Sequence, residues 1–136
     1  MKIAVCIDEK NGMLFAKRRQ SMDRILRENF LTLTGGAVVW MSPYTAGQFA
    51  DTPDRIRADA EYLEKAQEND WCFVEDGDLE ACADKITQIV LYRWNRRYPA
   101  DTWFPIELFA HKWTLVAQRD FPGSSHEQIT EEVYNL

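Results

Sequence analysis

The chain has 136 residues, 46% of them hydrophobic, and a formal net charge of -6. That length matches one domain with its own core. The negative balance argues against general binding to nucleic acid or to anionic membrane, since both select basic surfaces.

Taken in chain order, Lys2 to Asp8 predicts a buried first strand, and Asn11-Gly12 a turn. The opening apolar run is too short for a signal peptide or a membrane span, so a cytoplasmic protein is expected. Residues 13 to 20 form a loop that is apolar first and basic after. Ser21 is the expected N-cap of a helix to about Leu33, with Ile25, Leu26, Phe30 and Leu33 facing inward. Gly35-Gly36 ends it, and Ala37 to Met41 reads as a second buried strand. Ser42 caps a short helix with Pro43 at its first position.

Thr52 and Pro53 repeat that signal ahead of a long helix to about Glu68, with Ile56, Ala60 and Leu63 on its buried side. Trp71 to Glu75 is a third strand, and Asp78 caps the helix Leu79 to Lys85. Thr87 to Trp94 and Lys112 to Asp120 are the fourth and fifth strands. Ser124 with Glu127 forms a capping box, and Ile129, Val133 and Leu136 fall at helical spacing, which predicts a C-terminal helix. The alternation points to an α/β fold, a mostly parallel sheet flanked by helices in a single domain over residues 1 to 136. Cys6, Cys72 and Cys82 lie far apart inside apolar segments and read as reduced thiols.

Charge is unevenly placed. Lys17, Arg18, Arg19, Arg24 and Arg27 face only Asp23 in their segment, and Arg93, Arg96 and Arg97 precede a turn at Pro99. Residues 51 to 84 are strongly acidic, as the solvated side of two helices would be.

The order of elements resembles dihydrofolate reductase. Asn11-Gly12-Met13 is similar to that family's early loop, and Val38 to Thr45 to its second strand entering a helix. Leu91-Tyr92, Ala100-Asp101-Thr102, Phe104-Pro105 and Trp113 are similar to its late strand, its Gly-Asp-Thr-x-Phe-Pro turn and the tryptophan that opens the next strand. The resemblance implies a cofactor diphosphate bound at paired glycines, and a proton-donating carboxylate near Asp23. Three features depart from it. Glu75-Asp76-Gly77-Asp78 stands where the glycine pair belongs, and three carboxylates repel a diphosphate. A helix fills the stretch from Phe49 to Trp71 where the family has a further strand. A helix also replaces its closing strand. The chain is similar, too, to short bacterial proteins often labelled ribonuclease Z. That label implies a His-x-His-x-Asp-His metal motif, whereas His111 and His126 are the chain's two histidines.

Arg18-Arg19-Gln20-Ser21, followed by Asp23 and Arg24, is the leading candidate site. Guanidinium forks beside a helix start suit a phosphate or carboxylate. A loop leaving the carboxyl end of the first strand is also where open α/β sheets take ligands. Ser42, Tyr44 and Thr45 face the same crevice in this reading, and a solvated basic loop is the competing one. Asp23 reads as stabilising the helix start, since Arg19 and Arg24 would lower its pKa. Trp94-Asn95-Arg96-Arg97 interleaves aromatic and basic residues, as a protein-contact surface or ordinary packing would. Neither catalytic residues nor a metal or cofactor is expected. The resulting expectation is a binding domain for an anionic small molecule, a nucleotide or phosphorylated metabolite, without redox activity. The alternatives are a protein-interaction module and a divergent NADPH-dependent pterin or folate reductase.

Overall fold

Sheet pairing decides which apolar runs become strands. The computed structural model describes residues 1 to 136, apart from the side chain of Ala110. Its strands are β1 (Lys2–Ile7), β2 (Gly12–Phe15), β3 (Arg18–Arg19), β4 (Val39–Met41), β5 (Ile56–Ala58), β6 (Trp71–Val74), β7 (Gln88–Arg93), β8 (Thr102–Trp103), β9 (Thr114–Phe121) and β10 (Ile129–Asn135). Its helices are α1 (Arg24–Leu33), α2 (Pro43–Ala46), α3 (Tyr62–Lys65) and α4 (Ile106–Phe109).

Seven strands form the main sheet in the order β5-β4-β6-β1-β7-β10-β9. The five from β5 to β7 run parallel, and β10 and β9 close the sheet antiparallel. A small second sheet, β3-β2-β8, lies apart from it.

Alternation along β1 divides the core. Ile3, Val5 and Ile7 join Tyr62, Leu63, Leu79, Leu91 and Phe109 on one side, while Ala4 joins Leu26, Phe30, Phe73 and Tyr92 on the other. Phe30 of α1 is fully buried, its ring edge-on to Phe73 at 5.1 Å and to Trp71 at 5.8 Å. Burial of such a ring contributes roughly 2–3 kcal/mol.

Four expected elements differ. Asp23, not Ser21, caps α1, its carboxylate accepting from the Leu26 N–H. Leu31 rather than Leu33 turns inward.

The stretch from Thr52 to Glu68 is not one helix. Pro53–Arg55 is a single 3-10 turn, Ile56 to Ala58 pair with Val39 to Met41 as an edge strand, and α3 lasts four residues. Ala60 is exposed, and Arg57 lies over the Trp40 ring at 5.0 Å. Pairing with β4 outweighs helix propensity here. Leu79 to Lys85 likewise holds only the 3-10 turn Ala83–Lys85.

The C-terminal helix is absent, because residues 129 to 135 are strand β10. Ile129 and Val133 sit on one face of a strand, and the two glutamates between them are paired rather than solvated. Glu131 accepts from the Tyr92 hydroxyl at 2.8 Å and from Arg119 Nε at 2.9 Å, and Glu132 accepts from Arg93 Nε at 2.7 Å. The capping box does not form, since the Ser124 N–H donates to Asp23 instead. A further strand after Phe49 and a closing strand are therefore both present. Two of the three departures from the reductase pattern vanish with them.

Candidate functional site

Loops leaving the carboxyl ends of β1, β4 and β6 meet the small sheet, and a crevice opens between that sheet and the loop after β6. Asp8 follows β1 and anchors this region. It is 1% exposed and accepts from the N–H groups of Gly12 at 2.7 Å and Lys10 at 2.8 Å, and from the Gln20 amide at 2.9 Å. Burial opposes its charge, but those donors together lower its pKa. The one sequence signal for Asp8 is its place just before the Asn11-Gly12 turn.

The crevice has a volume of about 340 Å³ and is lined by Met13, Leu14, Glu75, Asp76, Asp78, Leu79, Glu80 and Trp103, among others. A second hollow of about 610 Å³ shares Leu14, Asp76 and Thr102 with it and adds Lys17 and Asp101. The first therefore carries four carboxylates and no basic side chain, beside a tryptophan that is 56% exposed. Gly77 holds φ at +109, and an added Cβ there would meet Leu63 Cδ1 at 2.7 Å. Its freedom is used to turn the acidic loop back over Leu63.

The arginine loop is built differently from the expectation. Arg19 Nε and Nη2 form a fork on Glu75, at 2.9 Å to Oε2 and 3.1 Å to Oε1. The guanidinium carbon lies 4.2 Å from the centre of the Tyr44 ring, and Nη2 donates to the Tyr44 carbonyl at 3.1 Å. Burial works against the charge on Arg19, but Glu75 outweighs it and raises its pKa.

Arg19 and Tyr44 are thus brought together, with its positive charge already met. Arg18 is exposed on β3. Gln20 binds Asp8, and Ser21 lines a recess of about 10 Å³ beside Arg19. Ser42 and Thr45 are buried and bond each other, at 3.1 Å between hydroxyls, as a closed N-cap of α2. Arg24 points elsewhere, pairing with Glu28 at 2.9 Å.

Asp23 is 2% exposed and faces the turn at residues 123 to 126. Its carboxylate accepts from the N–H groups of Leu26, Ser124 and Ser125 at 3.0, 3.1 and 2.8 Å. Burial alone would raise its pKa, but these donors hold the carboxyl well below the usual range. A carboxylate so firmly ionised is a poor proton donor at neutral pH.

His126 Nδ1 lies 3.6 Å from Asp23 Oδ2, and Nε2 lies 2.8 Å from the Tyr98 hydroxyl. The imidazole stacks on Trp94 at 4.5 Å. Trp94, expected at a partner surface, is 4% exposed and serves this packing. Asn95 spends its amide on the Gln128 carbonyl and Thr130 Oγ1. Arg96 and Arg97 remain as the exposed part of that expected surface.

No family model matches the chain, and no curated protein matches it. Among solved structures, dihydrofolate reductase from Enterococcus faecalis, complexed with NADP(H) and RAB-propyl, superposes with a TM-score of 0.66 at 13% identity. The match covers 98% of this chain and 94% of that one. The fold is dihydrofolate reductase-like. The acidic loop after β6 is the departure from the family's sequence pattern that stands. Nothing in these likenesses supports the ribonuclease Z resemblance. His111 is exposed and His126 buried, and among the described residues no group of three or more His, Cys, Asp or Glu is placed to hold a metal. No described helix is long and apolar enough to cross a membrane.

Proposed function

We propose that this chain is a small-molecule-binding protein on a dihydrofolate reductase-like fold, that it performs no hydride transfer, and that its crevice takes a cationic ligand. One observation carries the reading: Asp76, Asp78 and Glu80 line the crevice beside the exposed Trp103 with no basic side chain among the lining residues, while Glu75 at its back is already paired with Arg19. At a solvated rim each close charge pair contributes about 1 kcal/mol or less. Several carboxylates around one diphosphate therefore oppose it by a few kcal/mol, and favour a cation by a similar amount. The indole face adds about 0.5–1 kcal/mol of cation–π attraction at an exposed site.

The arginines taken alone favour an anionic ligand, a nucleotide or phosphorylated metabolite held by Arg18, Arg19, Ser21, Arg24 and the start of α2. Lys17 and Arg18, exposed at the hairpin tip, are what favour that second reading. It requires Glu75 to give up Arg19, and Arg24 to leave Glu28 and turn toward the crevice.

A thermal-shift series at low ionic strength separates the two. Spermidine should raise the melting temperature and quench Trp103 fluorescence, with Trp103→Phe as the control, while ATP, inorganic phosphate and NADP+ should do neither. Stabilisation by NADP+ or ATP that is lost in Arg18→Ala, with no response to spermidine, would replace the cationic reading with the anionic one.

A further inference from the structure

Behind the crevice, in the small recess that shares Met13 and Glu75 with it, a planar cation is already held, and that cation belongs to the chain. Glu75 offers Arg19 a carboxylate fork, the Tyr44 ring lies against the guanidinium face, and the Tyr44 carbonyl accepts from its outer nitrogen. Carboxylate, aromatic face and carbonyl are what a guanidinium needs; an ammonium would satisfy neither the two-point fork nor the stack. The cradle is well made, with Glu75 9% and Arg19 18% exposed.

The element that delivers Arg19 is slight. β3 has two residues and pairs with β2 alone. The hairpin tip holds Ala16 and Lys17 at φ of 51 and 63, left-handed values that neither residue favours. Outside the cradle, Asp76 lines both hollows and its Oδ1 is buried without a hydrogen-bond partner. A displaced guanidinium would have a carboxylate to settle against.

We infer that Glu75 and Tyr44 form a guanidinium- or amidinium-binding cradle, that Arg19 occupies it as a displaceable internal plug, and that the ligand of the crevice carries such a group and takes Arg19's place. This inference rests on the cationic reading of the crevice and narrows it to one chemical class. It also accounts for the recess beside Arg19 being only about 10 Å³: the inner site is filled while the outer crevice stands open.

Agmatine tests the inference, with butylamine as an ammonium control of similar reach. In the wild-type chain, agmatine should shift the hydrogen-bonded Arg19 Nε–H resonance saturably toward its solvent position. Arg19→Ala should bind agmatine at least tenfold more tightly than wild type, because the internal competitor is gone. Glu75→Gln should lose the response, and butylamine should bind no variant better than it binds wild type. An Arg19 signal unmoved at saturating agmatine, or equal affinity in wild type and Arg19→Ala, would make Arg19 a fixed clamp and overturn the inference. Should Arg19→Ala not fold, Arg19→Lys serves, since it keeps the charge and gives up the fork. Spermidine quenching of Trp103 without any preference for agmatine would sink the plug while leaving the cationic crevice standing. Agmatine displacing Arg19 without any spermidine effect at Trp103 would uphold the plug and confine the cation to the cradle, away from the outer crevice.

Discussion

Replacing Asp23 with alanine should destabilise the chain by about 3 kcal/mol. The lost N-cap costs about 1 kcal/mol. The Ser124 and Ser125 N–H groups also lose their acceptor, at 3.1 and 2.8 Å from the carboxylate. At the low end, because that turn is partly exposed, each costs about 1 kcal/mol. For a chain of this size the sum corresponds to a fall of roughly 12 °C in Tm.

Asp23→Asn keeps acceptor oxygen but not charge, and should lose about half as much. The pH dependence separates the two contributions. A carboxyl whose folded pKa lies below its unfolded one stabilises fully above the unfolded value, about 3.9, and loses that contribution as pH falls toward the folded value. Urea unfolding followed by circular dichroism should therefore show the gap between wild type and Asp23→Asn shrinking from pH 5 to pH 2. A gap below about 1 kcal/mol for Asp23→Ala, or one independent of pH, would refute the reasoning. Asp23 would then be free to act as the proton donor its position suggests by resemblance.

Burial lowers the His126 pKa despite the nearby Asp23, with Arg96 adding to the effect. Stability should therefore decline as pH falls below about 6.5, with a slope no steeper than about 1.4 kcal/mol per pH unit, the limit for one proton. His126→Gln should flatten that part of the unfolding curve. Glu131→Ala strands the buried Tyr92 hydroxyl, whose pKa is pushed up by burial first and by Glu131 second. It should cost about 2–3 kcal/mol in urea unfolding. A near-neutral result would contradict the strand assignment at the C-terminus.

The strands that form the middle of the sheet could be read from the sequence, because continuous apolar runs such as Ile3 to Ile7 and Trp71 to Val74 bury both faces. The missed strands lacked that signal. Ile56-Arg57-Ala58 is an edge segment with two exposed residues, and β10 carries Glu131 and Glu132 inside what looked like a helical repeat. Their acceptors' partners, Tyr92, Arg93 and Arg119, are remote in sequence, so no local pattern shows them. The site was legible to the same extent. The acidic loop after β6 followed from the residues, and the candidate crevice proposed here lies against it. The pairing of Arg19 with Glu75 did not, because 56 positions separate them, and it is the reason a cationic ligand is proposed in place of the anionic one that the arginines alone imply.

The most direct test of the acidic crevice is co-crystallisation with spermidine and NADP+ at equal concentration. Density for the amine between Trp103 and the side chains of Asp76 and Asp78, with none for the dinucleotide, is the predicted result. A diphosphate resolved along residues 75 to 78, against Gly77, would contradict it.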